Sequence, residues 1–110
     1  MSPPDLKDLT FDEYGFLTEP ERWNREVAQA IADDLNIGPM TEPHWMLIDY
    51  VRAHYLSTQA IHPAEEICKH FKLDRKCVWQ LFGGPLRLWR VAGLPYPGIE
   101  AYTYMKNEEP

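Results

Sequence analysis

Two cysteines, Cys68 and Cys77, and four histidines are the residues from which thiol, metal or general-base chemistry would have to be built in this 110-residue sequence. Their spacing limits each option. Cys68 follows Ile67 and lies three residues before Phe71, and Cys77 precedes Leu81 by four, so both fall on apolar helical stripes and read as small core hydrophobes with reduced thiols. A disulfide or redox pair between adjacent helices is the alternative, opposed by the reducing conditions expected for this chain. A metal site would draw on His62, Cys68, His70 and Cys77, but Cys68 and His70, two apart on a helix, point to different sides. No serine, histidine and acid form a nucleophilic arrangement, and "GGP" punctuates helices rather than cradling phosphate. No metal, no cofactor and no enzymatic activity are therefore expected.

The elements that must position these residues are mostly helical. "LTFDEYGFL" predicts two short strands around an acidic turn at Asp12 to Gly15. In "LTEPERWNREVAQAIADDLNIG", Thr18 is the expected cap with Glu21 as its capping-box partner, and Trp23, Val27, Ile31 and Leu35 form one stripe. Thr41 caps a second helix with Pro43 in its first turn and Trp45, Ile48, Val51 and Tyr55 on its face. A third helix starts at Pro63 and carries Ala64, Ile67, Cys68 and Phe71; a fourth covers "RKCVWQLF"; a fifth starts at Pro85 and ends at Gly93. Beyond Gly93 the prolines predict an extended arm. One domain is expected over 1–110, with a body at about 11–94 and an arm at about 95–110.

Apolar residues make up 45% of the chain, enough for a packed core, and no apolar run approaches the ~20 residues of a membrane span. With no basic, apolar leader at "MSPPDLKDLT", a cytoplasmic protein that does not engage membranes is expected. The formal net charge is −6, yet Lys69, Lys72, Arg75, Lys76, Arg87 and Arg90 face a single acid, Asp74, between positions 69 and 90. Such a basic segment suits an acidic protein partner, or DNA through a helix-turn-helix at about 63–82 that offers Arg75, Lys76 and Gln80.

Gly15-Phe16-Leu17, Trp23-Asn24 with Val27-Ala28, His44-Trp45 with Ile48, Arg52 and Tyr55, then Leu81-Phe82, Gly84-Pro85, Val91-Ala92-Gly93-Leu94-Pro95 and Pro97 occur in order over residues 11 to 98. In these residues the chain resembles the family of the dissimilatory sulfite reductase gamma subunit and its relative TusE, the DsrC/TusE family. The resemblance implies an α+β fold, an N-terminal β-hairpin or meander on a bundle of about five helices. It implies protein partners in a sulfite reductase or sulfur-relay complex. It also implies a mobile C-terminal arm whose penultimate cysteine receives sulfur as a persulfide, with a second cysteine eleven residues earlier in sulfite-reductase partners.

Carried over without gaps, those two positions fall on Trp89 and Glu100, and no cysteine follows Cys77 in these 110 residues. Neither an indole nor a carboxylate exchanges sulfane sulfur as a thiolate does, and the thioether of Met105 has no ionisable proton. The expectation is a non-catalytic homologue that docks a partner through an arm of Leu94, Pro95, Tyr96, Pro97, Tyr102 and Tyr104 without carrying sulfur. Sulfur handling through Cys68 or Cys77 is a further alternative and requires an exposed thiol.

Overall fold

The computed structural model describes residues 8–59 and 61–109. Its N-terminal turn is built by Asp12, whose carboxylate accepts the backbone N–H groups of Tyr14 and Phe16, both at 2.9 Å. Donors inside the turn are thereby taken by a side chain, and on the outer side the chain leaves extended geometry at Glu19, the cap of a 3-10 turn. A single antiparallel bridge, Phe11 with Leu17, is what remains of the expected strands, and Pro20–Arg22 then forms a 3-10 turn. The predicted β-hairpin or meander, and with it the α+β class, is thus corrected to a mostly helical fold with no sheet among the described residues.

Among the described residues six α-helices follow: α1 (Arg25–Asp34), α2 (Glu42–Thr58), α3 (Ala64–His70), α4 (Cys77–Phe82), α5 (Pro85–Val91) and α6 (Ile99–Asn107). The start of α1 differs from the prediction. Asn24, not Thr18, is its cap, accepting from Val27 N at 2.8 Å, and Trp23 is extended rather than helical. Thr41 does cap α2: its backbone N–H donates to Nδ1 of His44 at 2.9 Å. With Nδ1 accepting, the ring hydrogen sits on Nε2, which is 2.9 Å from the Leu81 carbonyl and donates to it, tying the start of α2 to the end of α4.

Short α5 is the hub, in contact with α1, α2, α4 and α6. Its Leu88, Trp89 and Val91 are buried with Phe16, Val27 and Ile31 from the N-terminal half and with Leu47, Ile48 and Val51 of α2. Fully buried Val78 and Phe82 join from α4, Ile67 from α3 and Met105 from α6. Among the described residues no helix is long and apolar enough to cross a membrane.

The sixth helix is the second departure. Residues 95–98 are non-helical, as the prolines require, but the chain then turns at Gly98 and α6 lies back against α5 instead of continuing as an extended arm. Burial of Met105 supplies the reason, since that side chain closes the space beside Val51, Ile67, Leu88 and Trp89.

Candidate functional site

A helix leaves its last carbonyls without partners, and the end of α5 meets this need with two distant side chains. Nε1 of Trp23 donates to the Val91 carbonyl at 2.9 Å, and Nη1 of Arg52 donates to the Ala92 carbonyl at 2.8 Å. The Arg52 guanidinium lies 3.8 Å from the centre of the Trp23 ring, a cation–π contact at the negative end of the helix. Burial pushes the Arg52 pKa down, and nearby Asp49 opposes that shift.

Gly93 completes the joint. It adopts φ +69°, and a Cβ there would overlap Cδ1 of Trp23, well inside the 3.0 Å that real Cβ contacts respect. The chain leaving α5 therefore has one fixed direction.

Downstream, most of the residues predicted for the arm pack on the body. Leu94 is fully buried, and the Pro95 carbonyl accepts from Nε1 of Trp89 at 2.7 Å. The Tyr96 ring stacks on Tyr14 at 4.3 Å, and Tyr102 lies 5.1 Å from Tyr14 and edge-on to Phe16 at 6.3 Å. Half-buried Pro97 lies between them in sequence. Tyr104 faces solvent, and Ile99 is another large apolar side chain left exposed on α6. At the far end an oxygen of Glu108 accepts the N–H of Ala64, the first residue of α3, at 2.8 Å. Burial raises the Glu108 pKa, while the hydrogen bonds from Ala64 and Tyr104 pull it down. Tyr104 is raised chiefly by the Glu108 charge.

The thiols expected to be reduced are joined. Cys68 on α3 and Cys77 on α4 form a disulfide with Cα atoms 5.8 Å apart, within the usual range of such bridges. Both are buried, as the apolar stripes required; the same packing of α3 on α4 brings the two stripes face to face.

Comparison with known proteins places this arrangement. A family model described as "DsrC like protein" matches residues 5–99. The chain belongs to the DsrC-like family. The sulfurtransferase TusE of Sodalis glossinidius is 28% identical over 82% of this chain and 91% of its own. The oxidized gamma-subunit of the dissimilatory sulfite reductase (DsrC) from Archaeoglobus fulgidus has a similar structure, with a TM-score of 0.71 and 34% identity over 82% of this chain and 90% of that one. The Pyrobaculum aerophilum DsrC/gamma subunit gives 0.70 and 31%, over 82% and 84%.

Within this DsrC-like chain Trp89 and Glu100, the positions on which the sequence resemblance puts the carrier cysteines, lie in different environments, and Glu100 falls just beyond the matched residues 5–99. Trp89 is buried, with its ring edge-on to Tyr55 at 5.2 Å, and Glu100 is exposed in the first turn of α6. The six basic residues divide as well. Arg87 donates to the Leu35 carbonyl at the end of α1 at 3.1 Å, and Arg90 donates to the Tyr14 carbonyl at 2.9 Å beneath the N-terminal turn. Lys69, Lys72, Arg75 and Lys76 remain exposed along α3 and the turn into α4, with Arg75 lining a pocket beside Glu65, Glu108 and Glu109. Two of the six are thus structural ties rather than members of one basic face.

Sequence reasoning also missed an imidazole cluster. His54, His62 and His70 pack around Tyr50, with ring centres 4.1, 5.7 and 4.7 Å from it. Among the described residues no group of three or more His, Cys, Asp or Glu is arranged to hold a metal. The signal lay in Tyr50 and His54 at i and i+4 on α2.

Proposed function

We propose that this DsrC-like protein docks a partner in a sulfite reductase or sulfur-relay complex without itself carrying persulfide sulfur, and that it is not an enzyme. One observation carries this reading: both cysteine sulfurs of these 110 residues are held in a buried bridge. The resemblance expects carrier cysteines at Trp89 and Glu100, and no cysteine stands at either position. Sulfane transfer begins with attack by a thiolate, and neither Trp89 nor Glu100 supplies one. A cytoplasmic location belongs to the same proposal, because burial shields the bridge from the thiolates that reduce exposed disulfides.

The test is native incubation with a persulfide donor followed by intact-mass measurement, beside the variant Glu100→Cys. The wild-type chain is expected to gain no sulfur, and Glu100→Cys to gain it at the introduced thiol. Stable sulfur on the wild-type chain, mapped to Cys68 or Cys77, overturns the proposal in favour of a carrier built on those residues.

A further inference from the structure

The N-terminal turn and α1 enclose an open groove of about 530 Å³. Phe11 and Tyr14 form one apolar wall, and Ile31 and Leu35 of α1 form the other. Its size lies in the range of clefts that hold small ligands or a few side chains, roughly 300–1,000 Å³. Glu13 and Asp34 stand beside these walls, both exposed, and neither makes an ion pair among the described residues.

The groove lining holds two acids, Glu13 and Asp34, and one base, Arg90, while Arg87 sits nearby on the Leu35 carbonyl at 3.1 Å; the segment that builds most of the groove is acidic. Residues 8–34 contain eight acids and only two bases, Arg22 and Arg25, a local charge of −6 that equals the formal charge of the whole chain. Both bases are engaged, Arg22 with Glu19 at 3.2 Å and Arg25 with Asp49 at 3.4 Å. Arg90 is the one cation in the groove lining, and it is committed beneath the turn, with Nη2 on the Tyr14 carbonyl and its guanidinium 5.4 Å from the Phe16 ring centre. Exposed carboxylates beside an apolar trough disfavour an acidic or purely polar occupant and favour one that brings cations to the rim and apolar side chains to the floor.

We infer that this groove is a docking site for a short partner segment in which large apolar side chains are flanked by lysine or arginine. The inference rests on the docking reading above and gives it a surface on the body, at the turn and α1, to which α6 contributes no lining residue. Apolar burial supplies the affinity, and Glu13 and Asp34 select the sign of the flanking charge.

The experiment titrates blocked tetrapeptides into the full chain and follows backbone amide shifts. The peptides are Lys-Leu-Phe-Lys, its acidic counterpart Glu-Leu-Phe-Glu, and the apolar-deficient Lys-Ala-Ala-Lys. Lys-Leu-Phe-Lys should shift Gly15, Asp34 and Leu35, bind about tenfold more tightly than either control, and weaken at high ionic strength. The double variant Glu13→Lys with Asp34→Lys, both at exposed positions, should invert the preference toward the acidic peptide. The inference fails if no peptide shifts the groove, if the acidic peptide binds the wild-type chain equally well, or if the shifts fall elsewhere. Capture of a sulfite reductase or relay complex is scored separately on the same proteins. Capture without peptide binding removes the groove and leaves the docking reading, whereas peptide binding without capture does the reverse.

Discussion

Replacing Gly93 by alanine tests whether the joint at the end of α5 is the rigid point of the fold. Two costs follow from the geometry. A non-glycine residue held at φ +69° in the left-handed region costs about 1–2 kcal/mol. The new Cβ also overlaps Trp23, so the indole must move. It then gives up its hydrogen bond to Val91, worth about 0.5–1.5 kcal/mol, and its contact with Arg52, worth about 0.5–2 kcal/mol. The total is about 2–5.5 kcal/mol, a large share of the roughly 5–15 kcal/mol that holds a domain folded. Urea unfolding followed by circular dichroism measures it. The decisive control is the same substitution in a Trp23→Ala background, where the overlap is gone and only the backbone cost of about 1–2 kcal/mol should remain. Equal costs in the two backgrounds would falsify the claim that Trp23 and Gly93 are coupled.

Ending the chain at Pro97 should destabilise it by about 2–4 kcal/mol, because Met105 and Tyr102 leave the body; an unchanged Tm would mean that α6 is a surface ornament. Cys68 and Cys77 should resist alkylation under native conditions, and reducing their bridge should cost about 2–3 kcal/mol from the short loop it closes; rapid native labelling of either refutes the buried bridge. Because Glu108 holds its proton more tightly folded than unfolded, its contribution to stability is complete below the ordinary value of 4.5 and is lost as pH rises through the higher folded value. Wild type should thus lose stability over that rise relative to Glu108→Gln, and identical pH profiles of urea unfolding would contradict the burial of this carboxyl.

Features set by near neighbours were legible in the sequence. Thr41 with Pro43 announces α2, Pro85 opens α5, and the stripes through Cys68 and Cys77 mark both residues as buried. Features set by distant partners were not. Thr18 and Glu21 mimic a capping box, but the cap of α1 is Asn24, six residues after Thr18, and Trp23 packs on Gly93 and Arg52 far along the chain. Apolar residues on either side of an acidic turn suggested strands, but the Asp12 carboxylate takes the donors inside the turn and the 3-10 turn at Pro20–Arg22 ends the pairing on the outer side after one bridge. The helical return was obscured by Pro95, Pro97 and Gly98, although Ala101, Met105 and Glu108, four and three residues apart, carried its inward face. Burial of the two cysteines was readable while their pairing was not, since a stripe gives the side a residue faces and not the distance to the opposite helix.

The docked sixth helix sets a condition on how any partner can use the C-terminal segment. A partner that required this segment extended would first have to remove Met105 from the core, part Tyr102 from Tyr14, and break the bond from Ala64 to Glu108. If release costs the same 2–4 kcal/mol as deletion, such a partner binds about 30- to 1,000-fold more weakly than to a segment already free. A partner that instead reads the docked helix through exposed Ile99 and Tyr104 meets no such penalty. A thiol carrier needs the first arrangement, because its sulfur must leave the body to reach an acceptor; a protein that only docks is served by the second. The stability lost on ending the chain at Pro97 therefore measures how strongly this fold favours docking over delivery.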